Sequence, residues 1–401
     1  MHHAGEFETV VLVFGLLLVG GALISGIAQR SFLSLAAVFV VAGFVLGEGG
    51  FEVLDFDPTS GFVGALATVA LIVILFHDGL EVDEEMLQAE WHLPVRKLVL
   101  GMPITCVVVA VGARVLTDLS WTECFLVGAL LSPTDPVLSS TVVNNPRVPR
   151  IIRHSLNLES GLNDGLALPA VLAFSAALVV GEDDFVWWQF VLQDVTLGVV
   201  AGIAVGYAAS FVMPKRASVS KHQKSLYALG AAFTAYGLAV VAPEGNGLIA
   251  VFVCAIVLGI RRPDISECFT SQAADVVELV QVAVFVVFGS LLTFDGLFGD
   301  WGAIGIVVVA LFVARPVAIF VALAGTRMDA ATKGFMAWFG PKGVATMAFG
   351  LLVLGQNIPG KERIFDIAAL AVFASIVLPG LTDTPGANWM ARRDEARRVP
   401  A

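Results

Sequence analysis

Residues 304–314 read IGIVVVALFVA. A barrel strand would alternate apolar and polar residues with a period of two. This run has no polar side chain and no alternation, which is the pattern of a helix in apolar surroundings. Similar runs recur along the chain, separated by short polar breaks. Runs of about 18 or more apolar residues can cross a hydrocarbon layer. Inside that layer the backbone must satisfy its own hydrogen bonds, so the runs are read as helices. Composition agrees. Of 401 residues, 57% are hydrophobic and 14% charged, with a mean hydropathy of +0.87, whereas a soluble domain carries roughly 25% charged residues. A water-soluble globule with a single anchor is excluded.

The net charge is −11 and no basic stripe with interleaved aromatics occurs, so nucleic acid is not an expected partner. The four cysteines, Cys106, Cys124, Cys254 and Cys268, are scattered without metal-ligand spacing. The flank before the first apolar run, HHAGEFE, is acidic and no small-residue cleavage site follows. That run is therefore read as a spanning helix rather than a signal peptide.

The breaks predict an all-α polytopic protein with about 13 transmembrane helices. They cover residues 7–28, 32–47, 61–80, 95–116, 121–143, 151–180, 186–213, 224–242, 245–260, 272–293, 301–325, 332–355 and 363–383. The expected organisation is one transmembrane domain over 1–401. A first repeat spans about 7–180, a linker helix about 186–213, a second repeat about 224–383 and a short cytoplasmic tail 384–401. Lys and Arg set the orientation. With the N-terminus outside, the cytoplasmic loops hold Arg30, Arg96 and Lys97, Arg147, Arg150 and Arg153, Lys215, Arg216, Lys221 and Lys224, Arg261 and Arg262, Arg327 and Lys333, and the tail ARRDEARR. The outer loops are acidic: EGGFEVLDFD at 48–57, GEDD at 181–184 and DGLFGD at 295–300. A multi-pass cell-membrane protein with a cytoplasmic C-terminus is expected.

Polar groups left at membrane depth are candidates for function, because burying them there costs several kcal/mol. Ser132-Pro133-Thr134-Asp135-Pro136 breaks helix five roughly 15 Å from its cytoplasmic end, counted by helical rise. Exposed carbonyls at such a break can coordinate a cation, and Asp135 can compensate a positive helix end. Helix six carries Glu159-Ser160-Gly161-Leu162-Asn163-Asp164. Glu159 and Asn163 share one face and Ser160 and Asp164 an adjacent one, each pair being four residues apart. Two carboxylates, a hydroxyl and an amide at one level suit a hard cation. Arg315-Pro316 lies deep in helix eleven, and a buried arginine needs a partner; Glu159 is the expected one. That leaves Asp164 as the free carboxylate. Gly340-Pro341-Lys342-Gly343 interrupts helix twelve as the prolines interrupt helix five, and paired interruptions point to inverted repeats with the site between them. Lys342 would balance the negative end of a half-helix. His77 and Asp78, at the end of helix three, are weaker candidates for an ion path.

The motifs TDP, ESGLND, ARP and GPKG, in this order across most of the chain, resemble those of the monovalent cation/proton antiporters in the prokaryotic sodium/proton exchanger branch. The resemblance implies a homodimer in which each protomer has a dimer-interface domain and a six-helix core domain moving like an elevator. It implies that Asp164 carries cation or proton, and that Thr134 and Ser160 join it as sodium ligands. It also implies that Glu159 pairs with Arg315. Asn163 in place of a second aspartate implies electroneutral exchange. Two positions depart: some relatives carry a glutamate ligand where His77 and Asp78 stand, and some carry Arg where Lys342 stands.

The expected function is sodium/proton antiport, one for one, with no cofactor beyond the transported ions. Potassium could replace sodium, because oxygen ligands accept both; lithium is the other candidate ion. A potassium/proton antiporter of the same fold and a cation channel are the alternatives. An intramembrane hydrolase is not supported: no HExxH or GxSxG occurs, and helix six has no His beside Ser160 and Asp164.

Overall fold

The computed structural model describes residues 2–28, 35–82, 92–135, 148–214, 219–242, 244–326 and 328–398. The second half of the fifth expected helix, with Pro136 and Arg147, lies outside the described residues. So do Arg30, Lys215, Arg216 and Arg327, and the side chain of Ser160.

The described elements are helical. We number them α1 (His2–Ala28), α2 (Leu35–Leu46), α3 (Gly61–Leu80), α4 (Lys97–Leu116), α5 (Trp121–Leu130), α6 (Arg150–Val180), α7 (Trp187–Val212), α8 (Lys221–Val241), α9 (Gly247–Arg261), α10 (Pro263–Gln272), α11 (Ala274–Ser290), α12 (Trp301–Ala322), α13 (Ala330–Trp338), α14 (Val344–Leu354) and α15 (Lys361–Arg398). Among the described residues seven helices are long and apolar enough to cross a membrane, or eight if the bent pair α10–α11 is one span. Shorter apolar helices (Glu8–Leu23, Leu35–Leu46, Trp121–Leu130, Gly247–Arg261 and Val344–Leu354) take the places of the remaining expected spans.

Local chemistry sets several ends. Ser120 caps α5: its Oγ accepts from the Glu123 N–H and the Glu123 carboxylate accepts from the Ser120 N–H. Ser220 and Gln223 form the same reciprocal box at α8. Two boundaries differ from expectation. The tenth span begins earlier, at Pro263, and bends by 56° between α10 and α11. The polar residues Asp264, Ser266, Glu267, Thr270 and Ser271 conceal α10 from a search for apolar runs. The last helix does not stop near 383 but continues to Arg398. Its Ala387 and Met390 are buried against Val148, Ile152, Leu156, Ile319 and Phe335 at one end of the bundle. The twelfth span is interrupted as expected: it is two helices, α13 and α14, separated by residues 339–343.

The break after α5 and the break between α13 and α14 cross each other. The Asp135 N–H donates to the Pro341 carbonyl at 2.7 Å. The Lys342 N–H donates to Ser375 Oγ at 2.8 Å, and its Nζ donates to the Pro133 carbonyl at 3.2 Å. Each broken strand of backbone thus supplies the other with partners that a continuous helix would have given it. The charges are crossed as well. The Lys342 ammonium sits just past the C-terminal end of α5. The Asp135 carboxylate lies against Gly343, the N-cap of α14. Both placements oppose the partial charge of the helix end concerned.

Gly343 is the closest point of the crossing. A Cβ there would stand 2.1 Å from Asp135 Cβ, inside any real contact distance. Gly343→Ala is therefore expected to force the strands apart and lower stability by about 1–3 kcal/mol. Gly230→Ala, where a Cβ meets nothing within 4 Å, should not. Thermal unfolding of the two purified variants in one detergent checks this.

Candidate functional site

Beside the crossing, α6 presents Glu159, Asn163 and Asp164, all buried. Helical spacing puts Glu159 and Asn163 on one face, and both meet Thr134. Thr134 Oγ1 donates to Glu159 Oε1 at 3.1 Å. Asn163 Nδ2 donates to the Thr134 carbonyl, with Thr134 Oγ1 a second acceptor at 3.3 Å. This leaves Asn163 Oδ1 buried without a partner. In a site that takes up a cation, such an oxygen is a ligand in waiting, because an unsatisfied buried acceptor otherwise costs about 1–3 kcal/mol.

Glu159 is held from two sides. Arg315 Nη1 donates to its Oε1 at 3.2 Å, and Lys97 Nζ to its Oε2 at 2.5 Å. Lys97 also donates to the Ser155 carbonyl at 3.0 Å, and its side chain is 0% exposed. The positive-inside count placed Lys97 in a cytoplasmic loop; it is instead a core residue. Nothing in the dipeptide Arg96-Lys97 separates the two roles. Arg96 turns outward to the Ala324 carbonyl at 2.8 Å, while Lys97 opens α4 pointing inward. Each cation sits beside a widened π-helical turn, residues 97–101 in α4 and 310–314 in α12. Pro316 follows Arg315 and lacks an N–H, so the regular ladder cannot run unbroken there.

Arg315 also joins the site to the second broken helix. Its Nε donates to the Ala337 carbonyl at 3.0 Å and its Nη2 to the Met336 carbonyl at 3.3 Å. These are last-turn carbonyls of α13, and a guanidinium is well suited to the negative end of a helix. Gly340 makes room for it: a Cβ there would stand 1.8 Å from Arg315 Nη2.

Asp164 faces another group of acids. The charges acting on it are those of Asp78 and Asp135. Asp78 lies at the end of α3, whose backbone abuts α6: a Cβ on Gly161 would be 3.5 Å from the Asp78 carbonyl. His77 Nδ1 is 3.2 Å from Asp78 Oδ1 and its Nε2 3.8 Å from Glu81 Oε1. Exposure rises along this row, from 5% for Asp164 to 18% for the Asp78 side chain, 23% for His77 and 49% for Glu81. The row runs from the buried carboxylate to the exposed Glu81 at the end of α3. Among the described residues no group of three or more His, Cys, Asp or Glu could hold a metal ion by itself. Oxygens from Asn163 and from the backbone at the crossing are the further ligands at hand.

Removing Glu159 would strand two buried cations. Glu159→Gln is expected to cost about 3–5 kcal/mol and Lys97→Met less, because Arg315 still pairs with the carboxylate. The double variant should be less unstable than the sum of the two. Unfolding midpoints arranged as a double-mutant cycle measure this coupling; strict additivity would mean that Lys97 does not act on Glu159.

A family model described as sodium/hydrogen exchanger, transmembrane, matches residues 15–389. The chain is 26% identical over 388 residues to the K(+)/H(+) antiporter NhaP of Alkalimonas amylolytica, covering 95% of this chain and 66% of that protein. It is 26% identical over 409 residues to the Na(+)/H(+) antiporter NhaG of Bacillus atrophaeus, covering 96% and 75% respectively. The chain thus spans about two thirds to three quarters of the length of these curated relatives. In fold it matches the sodium proton antiporter MjNhaP1 of Methanocaldococcus jannaschii, solved at pH 8, with a TM-score of 0.83 at 19% identity. That match covers 96% of this chain and 99% of the other. Sequence motifs, broken-helix crossing and family match agree: this chain belongs to the transmembrane sodium/hydrogen exchanger family.

Proposed function

We propose that the chain is a secondary active antiporter that exchanges a monovalent cation, sodium in the first instance, for a proton at Asp164. One observation carries this reading. A buried carboxylate stands beside an unpartnered amide oxygen, at a crossing of two broken helices, with an acid row leading to one membrane face. A single carboxylate can hold a proton or a cation but not both, so arrival of one expels the other. The empty charged form is penalised by the surrounding hydrocarbon, so only a loaded site crosses. That restriction couples the two fluxes.

Thr134 and Ser160 join Asp164 and Asn163 as sodium ligands, while Glu159 fixes Thr134 and Asn163 in place. Lys97, Arg315, Lys342 and Asp135 are the standing charges around them. Standing charges do not enter the stoichiometry as long as none of them gains or loses a proton through the cycle. One proton then leaves for each cation that enters, and exchange is electroneutral. His77 and Asp78 line the cytoplasmic approach. The protein works as a homodimer in the cell membrane, N-terminus outside and C-terminus inside, with the core helices moving as an elevator. Potassium is the second reading for the substrate, favoured by the relatives named as K(+)/H(+) antiporters.

Proteoliposomes loaded with a pH dye test the proposal. External sodium should alkalinise the interior, insensitive to a clamped membrane potential, and Asp164→Asn should abolish the response. A response to potassium alone would keep the mechanism and change the substrate. A voltage-dependent response would mean that a second group titrates with Asp164. Coupled exchange that survives Asp164→Asn would overturn the assignment.

A further inference from the structure

One face of α15 lies along α13. Ser375, Thr382, Gly386, Met390 and Arg393 follow one another at spacings of seven, four, four and three residues, which keeps them on one side of the helix. Ser375 Oγ accepts the Lys342 N–H at 2.8 Å, and Thr382 Oγ1 accepts the Trp338 indole N–H at 2.6 Å. Gly386 packs against Phe339, where a Cβ would stand 2.5 Å from the ring. Met390 is buried in one apolar cluster with Phe335 and Met336. Arg393 donates to Asp329, the N-cap of α13, at 2.5 Å. The lane thus runs from the break in the twelfth span back to the first turn of α13.

Ser375 and Thr382 use one device. Each hydroxyl donates to the carbonyl three residues back in its own helix, Ser375 Oγ to Val372 at 2.9 Å and Thr382 Oγ1 to Pro379 at 2.9 Å. The proton is thereby committed, and the oxygen faces the broken span as an acceptor. The Lys342 N–H belongs to the interruption, and the Trp338 indole can only donate. Ser375 and Lys342 are both fully buried, so that N–H would be stranded without this acceptor. Both donors stand next to a cation of the site. The Met336 and Ala337 carbonyls that hold Arg315 immediately precede Trp338. Lys342 itself reaches the carbonyl of Pro133, the residue before Thr134. One small cavity, of about 10 Å³, is walled jointly by Arg315, Ala337, Trp338, Gly340, Ser375 and Pro379. The lane therefore reaches the arginine with space for no more than about one water between them.

We propose that Ser375 and Thr382 are positioning residues of the cation site. Thr382 fixes the last turn of α13, whose carbonyls aim Arg315 at Glu159. Ser375 fixes the backbone of Lys342, whose ammonium rests on the Pro133 carbonyl. Glu159 and Pro133 bracket Thr134, to which Asn163 donates. Loss of either hydroxyl frees one of the two cations to shift and loosens the oxygens beside Asp164. Gly386, Met390 and Arg393 hold the rest of α13 in register with α15. The proposal rests on the antiport reading and adds to it that cation affinity is set from α15, a helix outside the ligand set.

Sodium-driven proton flux in proteoliposomes decides the matter. It is measured for the unmodified chain, Ser375→Ala, Thr382→Val, Trp338→Phe and the Trp338→Phe/Thr382→Val pair. Thr234→Val, which removes an exposed hydroxyl bonded to its own helix at Gly230, is the control. The three single variants in the lane should each raise the apparent KM for sodium about three- to tenfold, the range expected for one lost hydrogen bond. The maximal rate per folded molecule should change little. The pair should raise the KM no further than either member alone, because both remove the same bond. Thr382→Ser, which keeps the hydroxyl, should restore the KM, and Thr234→Val should leave it as it was. A lower yield or maximal rate at an unchanged KM would reduce the lane to packing and overturn the proposal. So would independent, multiplying effects in the pair. If Ser375→Ala does not fold, the Trp338 and Thr382 cycle decides alone. Protection of the purified protein against thermal unfolding by sodium gives a measurement independent of flux. The sodium concentration for half of the effect should rise by the same factor in the variants, and an unchanged concentration would count against the proposal. Absence of exchange by the unmodified chain would instead overturn the antiport reading, so the two failures are distinguishable.

Discussion

Inside a hydrocarbon layer a backbone N–H or carbonyl without a partner costs several kcal/mol, and no water is at hand to relieve it. This chain interrupts two of its helices in that layer, and the crossing of the two breaks is the solution. The hydrogen bond from Asp135 to Pro341 and the reach of Lys342 to Pro133 let each interruption satisfy the other. The rest of the site depends on the same crossing, because it presents Thr134 to α6 and opens last-turn carbonyls of α13 to Arg315.

The charges follow the same economy. Arg315 serves the end of α13 and Glu159 at once, and Glu159 in turn accepts from Lys97 and Thr134. A carboxylate with two cationic partners is held firmly in one place and has little capacity left for a transported ion. It therefore acts as the anchor of the site. The neighbouring Asp164 is also buried and feels the like charges of Asp78 and Asp135. Two carboxylates in opposite electrostatic surroundings are thus separated by only five positions along one helix.

The two faces of the site differ in kind. Towards His77 and Glu81 the surroundings grow steadily more polar and more exposed. Further along α6, at Leu168 and Val171, they are apolar and buried. The ring of Phe252 fills the space between Gly165 of α6 and Gly79 of α3, so α9 packs tightly against both helices beside Asp164.

Much of this was legible in the amino-acid order. Apolar runs too long and too uniform for strands dictated spanning helices, because hydropathy and length are properties of the chain alone. Pro133 and Pro136 in helix five and Pro341 in helix twelve marked the interruptions, since a missing N–H is visible in any context. Helical spacing placed Glu159 with Asn163, and the need to pair a buried arginine pointed from Arg315 to Glu159. The tertiary structure decided what depends on distances between helices. Lys97 looks like one more basic loop residue beside Arg96 and becomes a core cation only because α4 packs its first turn against α6. The polar helix α10 and the continuation of α15 to Arg398 escaped a search for apolar runs, because contacts with other helices hold them in place. Periodicity and composition report what one segment does to itself, whereas partners far apart in sequence are chosen by packing.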